Sequence, residues 1–239
     1  MEIKCFSAFY VPIINTNPER MKDEVAVTFH DATLFISDVQ LLHNEQSWLN
    51  DAHIHFYAEH LRHTSSYSAL FDQRIIQILP PSLVHLIRDH TLTDTTMLSA
   101  MLPPDVGQFM YTLMPINDHM QPQSAGGTHW SWVVVDHRNA RALHLDSQRS
   151  GNIRAARYAV ERFGKVLGQH IKMQEAVGWP QQSNGYDCGA FVCVGMRWFL
   201  QRFVDGYGDF EALLTMPEKE QMAVLEQVKR LRQFLLSLS

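Results

Sequence analysis

Cysteine is scarce in this chain, which has three cysteines, Cys5, Cys188 and Cys193, among 239 residues. An odd and sparse set of thiols does not make a disulfide framework, which needs pairs of cysteines. Free thiols of this kind persist in a reducing compartment. We therefore expect the protein to act in the cytoplasm, the nucleus or both.

Long apolar runs and blocks of basic residues are also missing. No stretch approaches the roughly 18 apolar residues that a membrane-spanning helix needs, and Met1-Cys5 leads into no secretory signal. The formal net charge is −5 with histidine neutral, and Lys and Arg are not clustered. Neither nucleic acid nor a membrane is therefore an expected partner.

Motifs for phosphate, nucleotide or metal binding are absent as well. The sequence has no phosphate-binding loop, no dinucleotide fingerprint and no Gly-x-Ser-x-Gly elbow. Four histidines between His53 and His63 crowd one predicted helix and make zinc conceivable. However, no Glu stands where a His-Glu-x-x-His site needs it, and no cysteine lies nearby. We expect neither a metal nor a cofactor.

The apolar pattern predicts clustered strands with helices at both ends of the chain. Strand patterns cover 109–115, 130–135, 141–145 and 171–177. Helical patterns cover 50–63, 82–88, 152–167, 189–203 and one or two segments of 209–238, the last beginning at Pro217-Glu218. This order predicts an α+β fold. The length and the 46% apolar content predict a single domain over 1–239, in which 1–30 form an N-terminal extension with room for one strand.

Two local signals refine this prediction. The residues 136–139, Asp-His-Arg-Asn, are typical of a turn, so the strands on either side form a hairpin. Asn152 is placed to cap the helix that follows it, and Gly168 is placed to stop that helix.

The most informative stretch is 182–188, Gln-Ser-Asn-Gly-Tyr-Asp-Cys, which Gly189 and an apolar helical run follow. A cysteine at the start of a helix lies at the positive end of the backbone dipole, which favours the thiolate. A buried core cysteine is the alternative. The turn signal Asn184-Gly185 nevertheless places Cys188 at the junction of loop and helix. Cys193 is flanked by two valines and is expected in the core.

Two further side chains complete the inventory of a thiol hydrolase. A thiol protease needs an imidazole that takes the thiol proton and returns it to the leaving amine, and His129 is the candidate. Asp146 ends the partner strand of the predicted hairpin, so it should lie beside His129 and orient the ring. Each residue alone is unremarkable at a strand end, and the hairpin makes the pair specific.

An acyl-transfer site also needs donors aimed at the developing oxyanion. The side-chain amide of Gln182 and the backbone N–H of Cys188 could supply two. Gln181 lies next to Gln182, and physical reasoning alone does not choose between the two glutamines.

These positions resemble the signature of the ubiquitin-like-modifier proteases, the SUMO protease (Ulp/SENP) family. The matching segments are His129-Trp130-Ser131, Asp146-Ser147, the 182–189 stretch and Trp48-Leu49-Asn50-Asp51. The resemblance runs from about His30 to Phe203. It implies a papain-like cysteine protease of the ubiquitin-like protease type, with a central mixed sheet flanked by helices.

Within this family the sequence is most similar to the deneddylase branch. The segments that carry this closer resemblance are 37–42, Ile116-Asn117-Asp118, the run Ala125 to Ser131, and the Tyr186 that precedes Asp-Cys. Thr91–Pro104 has no counterpart that we can place in the family.

The family resemblance implies a role for each matching residue. Cys188 would be the nucleophile, His129 the base and acid, and Asp146 the orienting group. Gln182 would be the oxyanion donor, which decides against Gln181.

The resemblance also implies how substrate is held. Trp48 and Trp130 would form a narrow channel that clamps the C-terminal Gly-Gly of a modifier, since only glycine lets a backbone pass between two indole rings. Asp51 would contact a basic residue of the modifier. Trp132 is expected in the core.

The expected function is therefore a cysteine isopeptidase, acting as a monomer, that cleaves after the Gly-Gly of a ubiquitin-like modifier, first of all the Nedd-type one. SUMO or ubiquitin as the modifier is the main alternative. Acyl transfer from coenzyme A would need a basic patch for the phosphates, and none is evident. A catalytically dead binding module is disfavoured because all four catalytic positions carry competent residues.

Overall fold

The computed structural model describes residues 24–119, 126–149, 151–208, 210 and 216–239. Its strands are β1 (Val25–Phe29), β2 (Ala32–Phe35), β3 (Ile76–Ile78), β4 (Tyr111–Asn117), β5 (Trp130–Asp136), β6 (Arg141–Leu145) and β7 (Lys172–Glu175). Its helices are α1 (Ile36–Leu42), α2 (Asp51–His63), α3 (Ser68–Asp72), α4 (Pro81–Ile87), α5 (Thr95–Met101), α6 (Ile153–Leu167), α7 (Cys188–Val204) and α8 (Glu218–Leu238). The predicted α+β class is confirmed.

A mixed sheet in the order β3-β4-β5-β6-β7 forms the centre of the molecule. The outer pairs β3/β4 and β6/β7 are parallel, while β4/β5 and β5/β6 are antiparallel. Every residue of β5 is buried, as expected for a central strand that is covered on both faces. The first two strands form a separate antiparallel hairpin. Its first strand lies within the predicted N-terminal extension, 1–30, and its second strand follows that extension. Residues 1–23 lie outside the described part of the chain.

The two faces of the sheet carry separate hydrophobic clusters because neighbouring side chains of a strand point to opposite sides. Trp132 and Val134 of β5 belong to the cluster with α2, α7 and α8. Val133 and Val135 belong to the cluster with α4, α5 and α6. Trp132 is 1% exposed, which confirms its predicted place in the core.

Most of the predicted elements are confirmed to within two or three residues. Gly168 ends α6 in the left-handed conformation, with φ of 65°, and α8 begins after Pro217. The short helices α1 and α3 were not predicted, and α5 lies in the stretch Thr91–Pro104 that had no counterpart. Each of these three spans seven residues or fewer, too short for the 3.6-residue period to stand out.

The prediction for Asn152 is wrong in part. It precedes α6, but its side chain makes no capping hydrogen bond, a bond that contributes typically about 1 kcal/mol. The side chain turns instead toward β4 and β5.

None of the helices in the described ranges is both long and apolar enough to cross a bilayer.

The close contact between α7 and β5 depends on Gly195. A Cβ atom at this position would lie 2.7 Å from Cε2 of Trp132, closer than real side chains approach. We expect Gly195→Ala to lower the free energy of unfolding by about 1–3 kcal/mol through overpacking, although alanine is intrinsically the better helix former. Chemical denaturation measures the change. Gly185→Ala is the control, because a Cβ there has nothing within 4 Å. Equal stabilities of the two variants would contradict the packing argument.

Candidate active site

Cys188 is the first residue of α7 and is 1% exposed. Leu49 packs closely against the start of this helix. A Cβ atom added to Gly189 would lie 2.9 Å from the Cβ of Leu49. A glycine after the cysteine therefore lets the segment around Trp48 approach the start of the helix. Asp187, the residue before α7, makes no side-chain capping bond. The first backbone N–H groups of α7 have no partner within the helix and are therefore available at its start, where Cys188 lies.

His129 and Asp146 form the buried pair that the hairpin predicted. Nε2 of His129 and Oδ1 of Asp146 are 2.6 Å apart, and the two residues are 5% and 8% exposed. The other ring nitrogen of His129, Nδ1, is buried and has no hydrogen-bond partner of ordinary geometry in the described part of the chain. The thiol of Cys188 interacts with the same ring, so Nδ1 is the nitrogen left to exchange a proton with sulfur.

The environment of His129 favours the charged imidazolium. Burial lowers its pKa, but the hydrogen bond to Asp146, the nearby Cys188 thiol and the charges of both groups outweigh burial and raise the pKa to about 9. A positive ring beside the thiol is what a thiolate–imidazolium pair requires.

Asp146 is held as a carboxylate by donors from the loop that follows it. Oδ1 accepts from the backbone N–H of Gln148 at 2.9 Å, and Oδ2 accepts from that of Asn152 at 2.9 Å. Burial raises the pKa of Asp146, but the hydrogen bond and the charge of His129 and the hydrogen bonds from the two backbone N–H groups outweigh burial, so the net direction is downward. Because both carboxylate oxygens have fixed backbone donors, the carboxylate is held in place and fixes the orientation of the imidazole that bonds to it.

The structure distinguishes the two neighbouring glutamines. The amide of Gln181 is fully used, because Nε2 donates to the carbonyls of Asp146 and Trp179 and Oε1 accepts from the N–H of Arg149. In Gln182, Oε1 accepts from the hydroxyl of Ser147 at 2.6 Å, and Nε2 donates to the carbonyl of Asn184 at 2.6 Å. Among the described residues, one N–H of Gln182 has no partner; Gln182 is half-buried in the loop before Cys188.

The three residues expected to hold substrate, Trp48, Trp130 and Asp51, differ in how far they are exposed to solvent. Trp48 is 47% exposed, and its indole N–H donates to the carbonyl of Gly185 at 2.9 Å, in the loop that leads to Cys188. Trp130 follows His129 directly and is 7% exposed. Asp51 is exposed in the first turn of α2, where its charge also suits the helix dipole. The hydrogen bond of Trp48 joins its segment to the catalytic loop.

Two residues that support His129 were missed as site residues from the sequence. The carboxylate of Asp118 accepts from the N–H and hydroxyl of Thr128, each at 2.7 Å, and from the N–H of His129 at 3.1 Å. The guanidinium of the buried Arg88 donates to the carbonyls of Asn117 and His119 at 2.5 and 2.7 Å. Asp118 had been noted only as part of the branch resemblance, and an arginine at the end of a short helix gives no sequence signal.

The histidine-rich helix α2 uses its buried histidine for structure. In His53, Nδ1 accepts from the N–H of Asn50 at 3.1 Å and Nε2 lies 3.0 Å from the carbonyl of Asp38. Both nitrogens are therefore engaged: Nδ1 bonds to the residue that precedes α2, and Nε2 joins α2 to α1. Burial lowers the pKa of this ring. Among the described residues, no group of three His, Cys, Asp or Glu side chains could hold a metal ion.

The raised pKa of His129 makes a direct prediction. The imidazole should titrate near pH 9, and the stability from its charged form should be full below pH 6.5 and lost as the pH rises through about 9. Asp146→Asn removes the carboxylate charge, so the midpoint should fall toward 6.5. Titration of the histidine resonances by NMR measures both values. The control is His137, whose pKa burial lowers to about 4 and which should stay neutral from pH 6 to 10. An unchanged midpoint in Asp146→Asn would refute the assigned cause.

The chain is similar to known proteins both in sequence and in fold. The sequence model of the Ulp1 protease family, C-terminal catalytic domain, matches residues 47–220. NEDD8-specific protease 1 of Schizosaccharomyces pombe is 28% identical over 77% of this chain, which spans 44% of that relative's length. Human sentrin-specific protease 8 is 30% identical over 76% of this chain and 84% of its own.

A solved structure of a de-sumoylating protease has the same fold, with a TM-score of 0.61 and 19% identity over 87% of this chain and 86% of that one. Since the family model covers well over half of the chain, this protein belongs to the Ulp1 protease family of cysteine peptidases.

Proposed function

We propose that this protein is a cysteine isopeptidase that cleaves after the C-terminal Gly-Gly of a Nedd-type modifier, in conjugates and also in precursors. The observation that carries the proposal is the buried His129–Asp146 pair beside Cys188 at the start of α7. The scarcity of cysteine supports action in the cytoplasm or nucleus, and we take the working unit to be one domain and a monomer.

Acylation begins with attack by the Cys188 thiolate on the carbonyl carbon of the terminal glycine. A C–S bond forms, and the imidazolium of His129 gives its proton to the leaving amine as the C–N bond breaks. Asp146 holds the ring by its Nε2 throughout, so that Nδ1 carries the proton to and from the reacting atoms. The products of this half-reaction are a free lysine amine and a thioester on Cys188.

Deacylation uses the same imidazole in its neutral form. His129 takes a proton from water, the resulting hydroxide attacks the thioester, and the C–S bond breaks. The sulfur leaves as the thiolate and the protonated His129 again faces it. The modifier departs with a free C-terminal carboxylate, and the site returns to its starting charge state.

Gln182 and the start of α7 are placed to stabilise the oxyanion. The Ser147 hydroxyl fixes the orientation of the Gln182 amide by donating to its oxygen, and the remaining N–H of Nε2 supplies one donor. The backbone N–H of Cys188 supplies another, with the helix dipole behind it.

Specificity for glycine rests on the two tryptophans. The bond to Gly185 fixes the Trp48 indole on the catalytic loop, and burial fixes Trp130 on β5. A backbone passing between two indole rings must lack side chains, so Gly-Gly is selected by steric exclusion. Asp51 is exposed and free to meet a basic side chain of the modifier.

The Nedd-type modifier is favoured by the names of the relatives and by the branch-specific segments. A relative from fission yeast is called NEDD8-specific. Within the branch-specific segment Ile116-Asn117-Asp118, the carboxylate of Asp118 accepts from the backbone N–H of His129. SUMO is the second candidate, since the fold is shared with a de-sumoylating protease.

Covalent probes test both the nucleophile and the modifier. C-terminal propargyl probes of NEDD8, SUMO and ubiquitin, each incubated separately with the protein, should give a band shift with NEDD8. Cys188→Ala should give none, because the probe bonds to sulfur. A shift with SUMO or ubiquitin alone would keep the mechanism and overturn the choice of modifier. A shift that persists in Cys188→Ala would overturn the nucleophile.

Replacement of Gln182 tests the oxyanion donor. Gln182→Ala should lower kcat on a modifier–fluorophore substrate by about 100- to 1000-fold with KM nearly unchanged, because the donor acts only on the developing charge. Gln148→Ala is the matched control, since Gln148 touches the site through its backbone N–H alone and its side chain is exposed. A loss of activity in Gln148→Ala equal to that in Gln182→Ala would argue against a specific role for Gln182.

A further inference from the structure

Asn152 contacts both partners of the buried pair, although the sequence predicts only a helix cap there. It is 2% exposed and lies between the loop after β6 and the first turn of α6. Its backbone N–H donates to Oδ2 of Asp146 at 2.9 Å. That oxygen is the one that His129 does not use, so Asn152 and His129 hold the carboxylate from two sides.

The side chain of Asn152 reaches the strand that carries His129. Nδ2 donates to the carbonyl of Ile116 in β4 at 2.9 Å and lies 3.4 Å from the carbonyl of His129. These carbonyls lie where the pairing of β4 with β5 approaches its end, near the bond from the N–H of Asp118 to the same His129 carbonyl. The amide therefore joins the end of β4 to the start of β5, where His129 lies.

The remaining polar atom of Asn152 is not satisfied. Oδ1 is buried and has no hydrogen-bond partner in the described part of the chain. Buried polar groups normally have partners, and the helix cap is given up as well. Among the described residues, Asn152 therefore leaves one buried oxygen unpaired and the helix uncapped, while its NH2 group bonds at the site.

We propose that Asn152 is a positioning residue that sets the separation between the His129 imidazole and the Asp146 carboxylate. It acts through its neighbours and does not touch the reacting atoms. The backbone of Asn152 anchors the carboxylate, its side chain anchors the backbone of the histidine, and the 2.6 Å contact between the pair lies between these two anchors. The inference deepens the proposed function, because it concerns the same site.

Two variants separate the side chain from the backbone. Asn152→Ala removes both Nδ2 contacts, and Asn152→Asp keeps the shape but points an acceptor at two carbonyl oxygens. Both keep the N–H that binds Asp146. We expect kcat on the modifier substrate to fall by about 10- to 100-fold with KM within about twofold, as for a small misplacement of catalytic groups. The His129 midpoint in NMR titration should move down from about 9 as the contact with Asp146 loosens.

Asn139→Ala is the matched control. Asn139 also donates through its backbone N–H and its Nδ2 to a single aspartate, Asp136, in the turn between β5 and β6. The Asn139→Ala variant should have a lower melting temperature, with the same kcat and the same His129 midpoint as the parent protein.

A merely structural role for Asn152 would lower the melting temperature and leave kcat per folded molecule and the His129 midpoint unchanged, and that result would overturn the proposal. The NMR titration needs no modifier. If the parent cleaves none of the three modifiers but its His129 midpoint still falls in Asn152→Ala, the proposed function fails and the positioning role stands.

Discussion

A buried hydrogen bond between an imidazole and a carboxylate is the contact on which the geometry of this molecule depends. Taking two ionisable groups out of water is costly, and the attraction between them compensates only when the geometry is good and the other lone pairs are bonded. Here the loop after β6 gives both carboxylate oxygens a backbone donor, and His129 contributes the third bond. The hairpin and the start of α6 must therefore both be in place for the buried pair to be stable in its charged form.

The rest of the fold brings the other reacting groups to that pair. The central strand β5 delivers His129 from a position buried on both faces, and α7 packs against the same strand through the close contact of Gly195 with Trp132. Because His129 directly precedes β5 and α7 packs against β5, this one strand links the acid–base group to the helix of the nucleophile. The carbonyl of Gly185 then ties Trp48, from a segment 137 residues away in sequence, to the same loop.

The sequence was sufficient for the parts of the site that are local or chemically distinctive. The helix start at Cys188 was predictable because a turn signal precedes an apolar run, and the pairing of His129 with Asp146 followed from one well-placed hairpin turn. The choice of Gln182 over Gln181 required the resemblance, and the structure adds a physical reason, since the amide of Gln181 is fully used. The family model and the fold agree with the class of enzyme that these residues predicted.

What the sequence did not predict depends on contacts between distant segments. Asn152 satisfies every local rule for a helix cap, yet its amide bonds to Ile116, 36 positions earlier. Arg88 donates to the carbonyls of Asn117 and His119, which lie 29 and 31 positions later in the sequence. No periodicity or propensity encodes such pairs, because each is decided by which side chain is nearest once the sheet has formed.

The near-complete burial of Cys188 limits the shapes that can react. A sulfur in a residue that is 1% exposed is out of reach of a folded surface, a helix or a bulky side chain. Only a narrow, fully extended chain end can reach the sulfur, so most polypeptides are excluded by their shape, whatever their side chains.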